Sequence, residues 1–351
     1  MSKRIDYLIV GQGIAGTLLA WFLEKAGQSF MMIDNDFADS STNIAAGIIN
    51  PITGRRFVKS WMIEDLLPFA KKTYQEIQNS TELPIFKEME IVRYFQSNVE
   101  GNNWITKTSY EEYEQYLSSK KLTQDLSTII NNSGGYGIVH GAKVDLRILI
   151  KYFQLHYKSK DQLKIDTFDH AALKVEENKV IYKSMEAKKV IFCEGYSACR
   201  NPWFKHLPYE SAKGEVLLIK IPNFKTPYII KKNQFLVPVG EDVYWFGSNY
   251  EWEDLTNTPT PSGRAYLEER LADILKVDYE VLDHMAAVRP VLKDRRPALG
   301  LHPEHASIAI LNGMGTKGTS IAPYWADRLV RFLLGEEGLS DEVDVRRFAQ
   351  G

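Results

Sequence analysis

The 351-residue sequence predicts an α/β fold, and three stretches carry that prediction. Near the N-terminus an apolar run, a glycine-rich turn, a helical run and a second apolar run follow one another between Tyr7 and Asp34. A further buried-strand pattern, Lys189 to Cys193, closes on a turn at Glu194-Gly195. The last, Ser307 to Leu311, enters another glycine-rich loop that opens a helix. Short apolar strands alternating with helical patterns are the mark of a parallel sheet covered on both faces.

Tyr7-Leu8-Ile9-Val10 is short enough for a buried strand, and Gly11-Gln12-Gly13-Ile14-Ala15-Gly16 follows at once. Thr17 to Ala26 reads as a helix with Leu18, Leu19, Phe22 and Leu23 on one stripe, stopped by Gly27. Ser29 to Ile33 is the second apolar run and ends on Asp34. Together these make a βαβ unit bearing G-x-G-x-x-G, with an acid about 20 residues on. Gly11 allows the tight turn, Gly13 lets backbone approach a pyrophosphate, and Gly16 lets the helix pack against the sheet. The positive end of the helix then faces phosphates, and Asp34 is placed to bind ribose hydroxyls. Asn35, Asp36 and Phe37 come next, with no Arg or Lys, so a 2′-phosphate is disfavoured and NADP with it. The unit binds a dinucleotide.

Composition narrows the class. This length supports a substantial core and one to three domains. A hydrophobic content of 44% and a charged content of 25% are ordinary for a globular protein. The net charge of -2 gives no general drive towards nucleic acid or an anionic membrane. The N-terminal residues run straight into the first strand without a signal-peptide pattern, and no apolar stretch approaches a membrane span of roughly 20 residues. Cys193 and Cys199 are too few for a disulfide framework and wrongly spaced for zinc, and Cys193 reads as a small buried hydrophobe. A cytoplasmic protein is expected.

After Asp34, the stretch Asn43 to Arg56 is rich in small residues, notably Ala45-Ala46-Gly47-Ile48, and ends on Arg55-Arg56. Such backbone suits a flat ligand, with the arginines reaching an anion or a ring. Residues 61–79 have helical period, with a kink or break expected at Pro68. From Pro84 the texture turns β-like: Ile85 to Phe95 is a strand, then a Tyr-rich helix is expected near Ser109 to Lys121. Gly134 to Gly137 signals a turn, Val144 to Tyr157 a helix, Lys164 to Phe168 a strand and Ala172 to Tyr182 a hairpin. Gly214 to Ile221, Gln234 to Val239 and Val243 to Gly247 read as strands of one antiparallel sheet. Pro259 to Gly263 reads as a loop, Arg264 to Leu275 as a helix and Ala286 to Gly300 as irregular and basic.

The loop Asn312-Gly313-Met314-Gly315-Thr316-Lys317-Gly318-Thr319 precedes a helix from about Ser320 to Leu334. A nicotinamide dinucleotide has no need of this second helix N-terminus. A flavin can use it, because reduction places negative charge on the ring edge that the helix end would face. Lys317 adds a full charge for the flavin or for a substrate carboxylate.

Over essentially its whole length the chain resembles the FAD-dependent oxidoreductases of the D-amino acid oxidase, glycine oxidase and sarcosine oxidase family. The resemblance rests on the N-terminal unit with Asp34, on Ala45-Ala46-Gly47 with Pro51 before Arg55-Arg56, and on Val190 to Gly195. It rests also on Val288-Arg289-Pro290 with Asp294 to Gly300, and on Asn312 to Thr319. It implies an FAD-binding Rossmann-like domain of residues 1–83, 140–207 and 285–351. Interleaved with it would be an α+β substrate domain of 84–139 and 208–284, built on an antiparallel sheet. FAD contacts are then expected from Gly11, Gly13, Ile14, Ala15, Gly16, Asp34, Asn35, Ala46, Gly47, Ile48, Gly195, Gly313, Gly315, Thr316, Lys317, Gly318 and Thr319. The ring would lie between the 47–56 stretch and the 312–319 loop, held non-covalently, since no Cys stands near the C-terminal motif.

Such enzymes oxidise a C–N bond by hydride transfer from the α-carbon to flavin N5, giving an imine that water hydrolyses. Oxygen or another acceptor reoxidises the flavin. By match to the family, Arg289 is the carboxylate partner and Lys317 a basic substrate contact, while Arg55 or Arg56 faces the ring. Tyr244, Trp245 and Tyr250 are candidate pocket residues, with core packing the better reading of each. Arg295-Arg296 leaves an acidic or larger substrate open. Two alternatives are a flavin-dependent oxidase of carboxymethylaminomethyl-uridine in tRNA, and a flavin-binding protein without turnover. His302 and His305 are spaced H-x-x-H in a Pro-containing loop without a matching ligand pattern, so no metal is expected.

Overall fold

A computed structural model describes residues 3–36, 40–132 and 134–348. Phe37 lies outside the described residues. The chain divides into two units, one of residues 1–43, 146–212 and 288–351, the other of 44–145 and 213–287.

In the first unit, the apolar runs become five parallel strands. Their spatial order is Leu163–Ile165, Phe30–Asp34, Lys3–Val10, Met185–Phe192 and Ile308–Asn312. Numbered along the chain this is 3-2-1-4-5, the doubly wound arrangement of a dinucleotide-binding sheet. Leu8 to Val10 and Val190 to Phe192 are buried, as strands covered on both faces must be. Helix Ile14–Lys25 buries Leu18, Leu19, Phe22 and Leu23. Helix Leu146–Ser159 buries Leu146, Leu149, Ile150, Phe153 and Tyr157, a 3.6-residue stripe. The hairpin of Leu173–Val175 and Val180–Tyr182 extends one end of Met185–Phe192, as the sequence predicts.

In the second unit, an antiparallel sheet runs Ala212–Lys220, Val243–Gly247, Phe235–Pro238, Ile229–Lys231, Phe86–Tyr94, Tyr136–Val144 and Ile48–Ile49. One neighbouring pair departs from the expected pattern: Ile229–Lys231 and Phe86–Tyr94 are parallel, with Lys231 beside Arg93. Strand Glu280–Arg289 adds an edge next to Ala212–Lys220. One face buries Leu217, Ile219, Tyr244 and Phe246 with Leu267, Leu271 and Ile274 of helix Pro261–Ile274.

Several expectations are corrected. Residues 44–83, expected with the dinucleotide unit, belong to the second unit, because Ile48–Ile49 pairs with Lys143 and Ala142 on the antiparallel sheet. Pro68 lies inside the uninterrupted helix Ile63–Thr81. The helix expected at 109–121 stands instead at Asn98–Thr108, where the Ser97 side chain accepts from the Glu100 N–H. Only the short 3-10 turn Glu111–Tyr113 and the strand Leu117–Ser118 follow. The stretch from Ala286, expected to be irregular, begins inside a strand that reaches Arg289. Pro261 and Gly263, expected in a loop, form the first turn of their helix, capped by Thr260.

Candidate functional site

Strand order in the first unit reverses between Lys3–Val10 and Met185–Phe192, and such sheets bind ligands beyond the carboxyl ends of the strands at that reversal. Gly11 and Cys193 are the residues just past those ends. Gly11 has φ +99°, and a Cβ there would lie 2.5 Å from the Cys193 carbonyl oxygen. A Cβ on Gly16 would collide with the carbonyl oxygen of Gly11. Turn, strand end and helix therefore pack with no space for a side chain, which is the cradle a pyrophosphate requires.

Gly13 is the N-cap of helix Ile14–Lys25 and carries no capping side chain. Thr42 Oγ1 accepts from the Ile14 N–H at 3.1 Å, beside the first turn that holds Ala15 and Gly16. The helix start keeps its positive end directed outward. Asp34 is fixed through both oxygens: Oδ2 accepts from the Gln12 N–H at 2.6 Å and Oδ1 from the Asp36 N–H at 2.8 Å. Gln12, Gly13, Asp34, Asp36, Asn43 and Gln154 line a cleft at this point. Asn35 beside it is exposed. With Asp36 as a second carboxylate, the cleft suits ribose hydroxyls and repels a 2′-phosphate.

The C-terminal loop comes to the same place. Asn312 Nδ2 donates to the Gly195 carbonyl at 2.9 Å, and Asn312 Oδ1 accepts from the Gly313 N–H at 2.8 Å. Gly318 lies against the side chain of Ile14, so the two glycine-rich loops, from opposite ends of the chain, meet in one unit. The Gly315 N–H donates to the Pro290 carbonyl at 3.0 Å, tying the loop to the residue after Arg289. Arg289 and Lys317 are both half-buried; Thr316 is exposed and Thr319 buried. Burial, and then the charge of Arg296, hold the Lys317 ammonium below its ordinary pKa. Glu194 is not part of the cradle: His170 and Asn201 engage its two oxygens at 2.9 and 2.7 Å.

The remaining expected residues lie in the second unit. Ala46 is buried, and Gly47, at φ +70°, would collide with the Val144 carbonyl if it bore a Cβ. The Gly47 carbonyl accepts from the Val144 N–H at 2.9 Å, and Ile48 pairs with Lys143. Arg55 and Arg56 are exposed at the turn joining Ile52–Thr53 to Val58–Lys59. Tyr244 is core, stacked on Phe224 and donating to its carbonyl at 2.9 Å. Trp245 Nε1 donates to the Ile44 carbonyl at 2.8 Å, and Tyr250 is exposed.

Gln12 and Thr42 shape the cradle without appearing among the expected residues. Gln12 sits inside the glycine motif, whereas nothing in the spacing marks Thr42. His302, Glu304 and His305 bring ligand atoms within 4.8 Å of one another. His302 Nδ1 already accepts from the Glu304 N–H at 3.1 Å, and a further ring hydrogen bond goes to the backbone of Trp203. Among the described residues no helix is long and apolar enough to cross a membrane.

The family model described as FAD dependent oxidoreductase (DAO) matches residues 6–331. Glycine oxidase of Bacillus subtilis (strain 168) is 22% identical, over 99% of this chain and 98% of that protein. The glycine oxidase structure from Geobacillus kaustophilus matches with a TM-score of 0.80 at 16% identity, over 99% of this chain and 98% of the other. L-proline dehydrogenase from P. horikoshii matches at 0.78 and 16%, over 100% and 99%. The glycine cradle and the anchored Asp34 fit FAD, and with the family model spanning nearly the whole chain, the protein belongs to the FAD dependent oxidoreductase family.

Proposed function

We propose that this enzyme oxidises the C–N bond of an amino acid or another carboxylate-bearing amine to an imine, which water then hydrolyses. The observation that carries the reading is the tie between the Arg289-Pro290 strand end and the loop of Lys317. Arg289 and Lys317, both half-buried cations, stand on these two segments of the unit that cradles the nucleotide. A substrate carboxylate relieves the repulsion between Lys317 and Arg296, and a guanidinium at 289 fixes its orientation through charge-assisted hydrogen bonds. Glycine and L-proline, the amines for which the relatives are named, both present such a carboxylate.

In this reading the first unit binds FAD, with Gly11 to Gly16 at the pyrophosphate and Asp34 at the ribose. Bound there, FAD supplies the acceptor for the electron pair of the α-C–H bond, and oxygen or another acceptor regenerates it. The protein's own task is to hold the carboxylate, aim the C–H bond and keep water out, rather than to provide a strong base. The flavin is non-covalent: the 312–319 loop holds no Cys, and burial pushes the Cys193 thiol far up.

Anaerobic mixing with glycine, sarcosine, proline and D- and L-amino acids tests the reading through the flavin's visible absorbance. Bleaching by one of them is expected. Arg289→Met should raise the KM for that amine about tenfold or more, the worth of a charge-assisted hydrogen bond. A yellow enzyme that no carboxylate-bearing amine bleaches would overturn it.

A further inference from the structure

In the first unit, the hairpin that joins strands Ala298–Leu301 and Ile308–Asn312 carries His302, Glu304 and His305. Its backbone is braced. The His302 N–H donates to the Ile308 carbonyl at 2.9 Å, the His305 N–H to the His302 carbonyl at 3.3 Å, and the Ile308 N–H to the His305 carbonyl at 3.0 Å. From this short turn the three side chains bring one ligand atom each within 4.8 Å of one another. Atoms so placed close onto a shared ion, about 2.1 Å from each, by shifts of under about 1 Å.

The rings of His302 and His305 stand 5.0 Å apart. A further imidazole, that of His206, lies 6.4 Å from His302 and perpendicular to it. The H-x-x-H spacing shows no ligand pattern by itself because this other imidazole stands far up the chain. His206 and Glu304 are exposed, so both can turn onto an ion at little cost.

His302 is held as a metal-binding imidazole is held. Its Nδ1 accepts from the Glu304 N–H at 3.1 Å, so in the neutral ring Nε2 carries the proton, and the ring also hydrogen-bonds the Trp203 backbone. A ring N–H tied to backbone fixes the tautomer and aims the opposite lone pair. A metal ion takes the place of the Glu304 amide, which turns to water. Burial, and then the charges of His305 and His206, hold His302 below its ordinary pKa, with Glu304 opposing, so the neutral ring is at hand. The edge of Phe204, 5.5 Å away, packs the ring in place.

Three imidazoles and one carboxylate suit zinc, and by the same preference nickel and copper. Calcium and magnesium take oxygen donors and do not fit. The hairpin stands at the amino end of Ile308–Asn312, whereas the glycine-rich loop leaves its carboxyl end. The metal therefore belongs to the framework of the unit and not to the flavin chemistry.

We propose that His302, Glu304 and His305, with His206 as fourth ligand, form a zinc-class metal site that pins the hairpin to the segment around Phe204. Isothermal titration of the tag-free, EDTA-washed, FAD-loaded enzyme with zinc chloride tests it. One equivalent is expected to bind with a Kd on the order of 1 μM, and calcium and magnesium chloride to give no binding heat. His305→Gln and His206→Gln should each weaken zinc binding at least about tenfold.

Thermal unfolding gives the second measurement. Zinc is expected to raise the Tm of the wild type, and not that of the double variant His302→Gln with His305→Gln. An unchanged flavin-to-protein absorbance ratio verifies folding of each variant. No zinc heat in the wild type, unchanged affinity in either single variant, or an equal Tm rise in the double variant would overturn the proposal. Neither measurement needs turnover, so the site is decided whatever amine the enzyme oxidises.

Discussion

A single methyl group separates a working cradle from a blocked one at Gly16. Because a Cβ there collides with the Gly11 carbonyl, the helix start must move away from the turn, and the phosphates lose their donors. Gly16→Ala is expected to weaken FAD binding about tenfold or more, read as flavin lost on gel filtration, since overpacked sites relax only by backbone shifts. Lys231 gives a second residue-scale expectation. Burial, with Arg93 opposing and Glu100 partly compensating, pulls its pKa down to about 8. An unfolded lysine titrates near 10.4, so between about 8 and that value the unfolded chain holds more protons and folding stability rises with pH. Below about 8 the cost of the buried charge is present in full. Urea unfolding of wild type and Lys231→Met, each at pH 7 and 9.5, should show a smaller gain at high pH in the variant.

At the level of elements, local signals decided what was legible. The βαβ unit was readable because turn, helix stripe, second strand and terminal acid each require particular residue types at fixed spacing. The helix Asn98–Thr108 was missed although Ser97 caps it: the Ser97 side chain accepts from the Glu100 N–H, and the Glu100 carboxylate accepts from the Gln96 N–H just ahead of the cap. Its apolar face is weak, with Trp104 its one large buried side chain, so periodicity pointed to the tyrosine-rich stretch downstream. Ser97→Ala is expected to destabilise the enzyme by about 0.5–2 kcal/mol, measured by denaturant unfolding. The parallel pairing of Ile229–Lys231 with Ile91–Arg93 had no local signature, because register between distant strands is set by packing. For that reason the adjacency of Arg93 and Lys231 was invisible in the sequence.

For the whole molecule, the chain divides into two units whose crossing points do not coincide with the changes of composition. Residues 44–83 look like a continuation of the nucleotide unit until Ile48–Ile49 is seen paired with residues 142 and 143, a contact that no local pattern encodes. The chain passes between units after Asn43, Asp145, Ala212 and Ala287. The fifth parallel strand, Ile308–Asn312, and the helix Gly318–Leu333 are contributed by the final segment. A chain ended at residue 300 is therefore expected to retain no flavin, checked by its visible absorbance after purification. The same order governs synthesis. As the chain leaves the ribosome, the strand Lys3–Val10 emerges long before Ile308–Asn312, the fifth parallel strand of its sheet. The nucleotide cradle cannot close until these later residues have been made, so FAD loading is expected to follow their synthesis.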